Sequence, residues 1–141
     1  MEVVLALTFT LQLTLQTFAF NSSFNQNLAL WDCTQLEIAD RAFQDNVEFN
    51  QDLSGWSVPR LRSAVSMFEG ATSFNQNLCG WTVTLDRSHP FRGKDMFVDT
   101  GCPDSQSPDG PWQGPFCETC RKGLTQEEDQ WYATLLEGVL Q

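Results

Sequence analysis

The chain is 141 residues long, the size of a single domain, and its aromatic share rests on eleven Phe and five Trp. Eighteen acids against eight bases give a formal net charge of −10. No run of Lys or Arg interrupts that balance, which argues against nucleic acid and anionic membrane surfaces as partners, since both select for basic clusters.

Residues 3–20 contain no charged side chain. They do not read as a targeting segment. The only early charge is the acidic Glu2, Gln12 and Gln16 interrupt the run, and no small-x-small cleavage site follows. The stretch is too polar for a spanning helix, so no membrane insertion is expected. Leu11, Leu15 and Phe18 instead share the phase of Leu61, Val65 and Phe68, which makes residues 1–23 the trailing part of an incomplete first repeat.

The repeat itself is explicit. Phe24-Asn25-Gln26-Asn27-Leu28 returns as Phe49-Asn50-Gln51-Asp52-Leu53 and again as Phe74-Asn75-Gln76-Asn77-Leu78, each 25 residues after the last. Trp31, Trp56 and Trp81 keep the same period, as do Phe18, Phe43 and Phe68. Such self-similarity marks units that cannot bury an apolar face alone and must stack on their neighbours. Within a unit, Leu53, Trp56 and Val58 around Ser54-Gly55 suit a short strand beside a turn. Leu61, Val65 and Phe68 lie at i, i+4 and i+7, the spacing of a short helical face, with Gly70 as its left-handed end. The expected fold is therefore an α/β repeat solenoid, one short strand and one short helix per coil. Its core would be built from Phe24, Trp31, Phe43, Phe49, Trp56, Phe68, Phe74 and Trp81. Asn25, Asn50 and Asn75 read as a structural amide ladder; the single carboxylate Asp52, in phase with Asn27 and Asn77, is a poor calcium cage.

The strings Phe49–Trp56 (FNQDLSGW) and Met67–Trp81 (MFEGATSFNQNLCGW) resemble the leucine-rich-repeat variant of BspA-like surface proteins. The likeness covers about residues 6–101, with Ala29-Leu30 in the first unit where Ser54-Gly55 stand in the second. It implies a right-handed α/β solenoid, an extracellular or cell-surface location, and adhesion or partner binding without catalysis. It supplies no catalytic residues to transfer and no particular ligand.

After Val83 the register slips. Met96-Phe97 matches Met67-Phe68 but lies 29 residues on, so four residues are inserted, expected around positions 87–94. His89, the single histidine, falls in this loop. With no second His and no nucleophile at a recognised spacing, it reads as a solvated loop residue. Residues 102–124 form a closing segment with four of the six prolines, ending in the CxxC Cys117-Glu118-Thr119-Cys120. A thioredoxin-type site lacks its βαβ setting, and a zinc site would need a fourth ligand beside Cys102, Cys117 and Cys120. A disulfide within that trio is favoured, Cys102 to Cys117 or to Cys120, and it suits secreted chemistry.

From Thr125 the chain reads as a helix. Thr125 and Glu128 make a capping box, and Trp131, Leu135, Leu136 and Val139 follow with helical spacing. It would cap the array or dock on another protein. Three parts are thus expected: a repeat region over 1–101, the closing segment over 102–124, and a helix over 125–141. No catalytic, cofactor or metal site is expected. The expected function is a non-enzymatic surface or secreted binding and adhesion module with a protein or glycan partner. The alternative is a structural fragment of a longer repeat protein, with a small enzyme behind both.

Overall fold

In the computed structural model, residues 18–20, 22–86, 88–108, 115–120, 134, 137 and 138 are described. The first expected coil up to residue 17, with Leu11 and Leu15, lies outside them, as does nearly all of the expected helix over 125–141; Thr134, Glu137 and Gly138 have helical backbone.

The 25-residue units stack as tiers, and aromatic rings make the stack. Phe18, Phe43, Phe68 and Phe97 form one column, with successive centroids 5.6, 5.5 and 5.8 Å apart and planes within 6° of parallel. Phe24, Phe49 and Phe74 form a second column at 6.0 Å per step. Within each tier the two columns touch: Phe18–Phe24, Phe43–Phe49 and Phe68–Phe74 lie 4.0, 4.1 and 4.0 Å apart. Trp56 and Trp81 stack at 6.1 Å in a third column. Offset stacking of this kind adds about 0.5–1.5 kcal/mol per pair beyond the area buried. Phe43, Phe49, Phe68, Phe74, Trp56 and Trp81 are buried, whereas Phe18, Phe24 and Trp31 at the first described tier are half-buried.

Among the described residues the expected strand and helix of each coil do not form. The chain is not an α/β repeat solenoid: among the described residues the one complete helix is α1, Trp81–Thr84, and the extended pairings are isolated bridges, Ile38 with Ser63, Ser63 with Arg92, and Asp104 with Cys117. The reason lies in where the backbone donors point. In 61–70, where a helix was expected, Ala64, Ser66, Phe68 and Gly70 donate their N–H groups to Arg92, Lys94, Met96 and Val98 of the next tier. Ala39, Arg41, Phe43 and Asp45 donate in the same way to Ser63, Val65, Met67 and Glu69. An α-helix would send those donors back along its own chain.

Left-handed residues interrupt the same segments. Arg41, Ser66 and Asp95 occupy one phase of the repeat, and Phe20, Asp45, Gly70 and Asp99 another, all at φ between 53° and 75°. A run of right-handed helical residues cannot pass through such points. Gly70 is left-handed, as expected, but it ends no helix. Around Leu53–Val58 the backbone closes on itself instead of pairing as a strand: Trp56 N–H donates to the Leu53 carbonyl and Leu61 N–H to the Val58 carbonyl.

The inserted residues fall between Trp81 and Arg92, a span that overlaps the expected 87–94 and extends ahead of it. Trp81 still stacks in register on Trp56, while Arg92 already bridges Ser63 in the shifted register. The slack is taken up between them, where α1 leaves Val83 80% exposed although Val58, in the same phase, is fully buried.

Candidate functional site

Two surface features stand out on this frame: a row of amides along one edge and a loop-and-disulfide cluster at the C-terminal tiers. The amide row joins tier to tier. Asn50 N–H donates to Asn25 Oδ1 at 3.0 Å and Asn75 N–H to Asn50 Oδ1 at 2.9 Å. Gln51 Nε2 reaches the same Asn25 Oδ1 at 2.8 Å, and Gln76 Nε2 reaches Asn50 Oδ1 at 2.9 Å. The Asn25 and Asn50 oxygens thus each satisfy two donors of the next tier. The neighbouring row closes turns: Asn27, Asp52 and Asn77 each accept the N–H two residues on through Oδ1, at 2.9 Å. Ser54, through its hydroxyl first and then its N–H, holds the Asp52 carboxyl below the usual carboxylate range. Asp52 is therefore a turn-forming group.

The closing segment is bound covalently to the last tiers. Cys102 pairs with Cys117 and Cys79 with Cys120, so the CxxC is split between two disulfides. The Cys102–Cys117 bond is one of the two pairings left open by the sequence. The partner of Cys120 was missed. Cys79 stands where the preceding unit has the exposed turn residue Ser54, and that replacement was the available signal. Phe116 enters beside these bonds, is fully buried, and packs on Trp81 and Phe91. Pro108 lies against Gly93 so closely that a Cβ there would come within 2.5 Å of the Pro108 oxygen. Cys33 is the free cysteine; it is buried, and burial pushes its thiol up to about 12.

The inserted loop carries His89, which is exposed. His89 Nδ1 lies 3.0 Å from Asp86 Oδ2 and 2.8 Å from Ser88 Oγ. Ser, His and Asp are therefore together, yet both partners meet the same ring nitrogen. A relay needs the hydroxyl and the carboxylate on opposite nitrogens. Asp86 also accepts from the Ser88 N–H at 2.8 Å, and these bonds hold its carboxyl down at about 2, the backbone bond first. Asp86 N–H donates to the Pro59 carbonyl, which fastens the loop to the tier before it. Between them is a cavity of about 180 Å³ lined by Pro59, Arg60, Leu61, Arg62, Asp86 and His89.

Among the described residues no group of three His, Cys, Asp or Glu is placed to hold a metal ion, and no helix is long and apolar enough to cross a membrane. The two disulfides fit a protein of an oxidising, non-cytoplasmic compartment.

No curated protein and no solved structure matches the chain. One family does, described as a Mycoplasma protein of unknown function, DUF285, and its match spans residues 10–101, a range that contains the aromatic columns from Phe18 to Phe97. That match is compatible with the surface-protein likeness of the repeat strings. On this evidence the chain is a repeat protein that belongs to the DUF285 family.

Proposed function

We propose that this protein is a non-enzymatic binding module, secreted or held at a cell surface, in the manner of the BspA-like surface proteins its repeat strings resemble. The observation that carries the reading is the pairing of a stacked aromatic core with a polar edge repeated from tier to tier, closed by two disulfides. Equivalent side chains at equal spacing make an extended recognition surface, and a rigid scaffold lowers the ordering cost of binding. The partner class is a protein or glycan at a surface.

The test has two arms. Protease shaving of intact source cells, followed by immunodetection, should remove the chain from the surface fraction or find it in the medium. The purified oxidised chain, presented to immobilised glycans and extracellular-matrix proteins, should retain at least one of them. A chain found only in the cytoplasm, and retained by neither set, would overturn the reading.

A further inference from the structure

We infer that the cavity between Arg60, Arg62 and His89 receives a single anionic group, a carboxylate or sulfate ester, carried on an acidic saccharide. The inference rests on the glycan branch of the function proposed above and names the site and the chemistry it would use.

The first argument is placement. Leu61 is 4% exposed, so its side chain enters the core, while Arg60 and Arg62 on either side of it are exposed. Both line the cavity, and His89 lines it from the inserted loop across the gap. Arg92 follows in the next tier, its N–H donating to the Arg62 carbonyl at 2.9 Å. Two arginines and the histidine thus line one cavity, with a third arginine beginning the next tier, on a chain whose net charge is −10.

The second argument is that the guanidinium charges are not spent internally, while His89 is held by Asp86. Of the five Lys and Arg among the described residues (Arg41, Arg60, Arg62, Arg92 and Lys94), none is ion-paired, despite the excess of acids. Arg60 Nη1 donates to the neutral Gln35 Oε1 at 2.6 Å. The nearby carboxylates are already engaged, and Asp86 is itself part of the cavity lining. Asp86 is taken by Ser88 and His89, and Asp40 accepts from the Ser63 hydroxyl and Val65 N–H. Glu37, in register with Arg62 one tier back, forms no ion pair with it. Guanidinium groups match the planar oxygens of carboxylate and sulfate.

Size and charge then choose the ligand. At about 180 Å³ the cavity is below the roughly 300 Å³ at which sites enclose whole small molecules, so it holds one group of a larger ligand. A long, densely charged polyanion such as nucleic acid would meet the repulsion of the remaining acidic surface. A saccharide with one charge on every ring or two would meet only the local basic edge.

The experiment is a titration of the intact oxidised chain, followed by amide NMR and calorimetry. Three probes are used: a sulfated uronate disaccharide, its desulfated uronate counterpart, and a neutral disaccharide of the same linkage. Shifts should begin at Arg60, Arg62 and His89 with one or both charged probes, and the neutral probe should give none. Whichever charged probe binds tells sulfate from carboxylate. Arg60→Gln with Arg62→Gln should weaken binding about tenfold or more, while Arg41→Gln, outside the cavity, should stay within about twofold. Unchanged thermal melts of the variants would exclude a folding defect, and the charge-conserving Arg60→Lys and Arg62→Lys pair should recover part of the affinity. No shift at these residues up to millimolar probe, equal affinity of the neutral probe, or an insensitive Arg60→Gln/Arg62→Gln variant would each overturn the assignment. Retention of a surface partner independent of Arg60 and Arg62 would leave the broader function standing and remove this site.

Discussion

The indole N–H of Trp81 donates to the Leu53 carbonyl at 2.9 Å, and Trp56 makes the same bond at the same distance to Leu28, each reaching back one tier. The tryptophan column therefore ties tiers together by polar contact as well as by stacking. Trp56→Ala should cost on the order of 3–5 kcal/mol, the usual range for emptying a buried Trp site. Trp56→Phe keeps a ring and loses the bond, so about 1–2 kcal/mol is expected. Chemical-denaturation midpoints of the two variants would check the order, and near-equal losses would show that the bond contributes little.

The amide row makes a sharper comparison. Asn50 Oδ1 accepts from Asn75 N–H and Gln76 Nε2, whereas among the described residues Asn75 Oδ1 meets only the Cys117 sulfur, at 4.0 Å. Asn50→Ala should lose about 1–2 kcal/mol, because two donors between tiers lose their acceptor. Asn75→Ala should be nearly silent. The same residue type in the same repeat phase would then differ only through its neighbour above, and matched thermal melts would read that difference.

How much of this could be read from the residues follows from what stacking requires. A stacked array places the same side chain over itself at every tier, so the columns of Phe and Trp appear directly as a 25-residue period. The backbone path does not appear that way. Leu61, Val65 and Phe68 bury a face at helical spacing, but a segment that donates alternate N–H groups to its neighbour produces the same apolar spacing. The left-handed positions that separate the two are filled mostly by Arg, Ser and Asp; only Gly70 signals one, because glycine alone adopts that region without strain. The cysteine trio suggested a bond from Cys102 to Cys117 or Cys120, and the first forms, while Cys120 reaches back 41 residues to Cys79. The basic cavity was hidden for a related reason: Arg60 and His89 are far apart in sequence, and the loop's fastening to Pro59 brings them together.

Gly70 tests the left-handed frame. It sits at φ 75°, and a Cβ added there would collide with the Asp45 carboxylate one tier back. Gly70→Ala should destabilise by about 1–2 kcal/mol from backbone conformation, plus the cost of displacing Asp45. The double variant Gly70→Ala/Asp45→Ala should recover the second part only. Urea melts of the four members of this cycle measure the coupling, and strict additivity would show that Asp45 swings aside without cost.

Disulfide closure sets the response to reductant. In the chain-entropy description, the Cys102–Cys117 loop of 15 residues contributes about 3 kcal/mol and the Cys79–Cys120 loop of 41 about 4 kcal/mol. Cys79→Ser should therefore lower stability at least as much as Cys102→Ser. Thiol titration in denaturant without reductant should find a single free thiol, and peptide mapping should place it at Cys33. Five free thiols in freshly isolated protein would contradict both bonds.

Cys33 also predicts a pH dependence whose sign follows from its burial. The thiol is 1% exposed. Its ordinary value of 9.0 is pushed up to about 12, first by loss of solvent and then by the charge of Asp32. Below pH 9 the thiol is neutral in folded and unfolded chains alike, so it adds no pH dependence. Between about 9 and 12 only the unfolded chain ionises, and stability falls as pH rises, by about 1.4 kcal/mol per pH unit. Other groups titrate in that range, so the measurement is the difference between the native chain and Cys33→Ala. That difference should move against the native chain by about 1 kcal/mol between pH 8.5 and 10. A thiol this buried should also react slowly with an aromatic disulfide reagent until the chain unfolds. A flat difference together with rapid labelling would mean that Cys33 ionises in the folded protein and that water reaches the core beside Leu36.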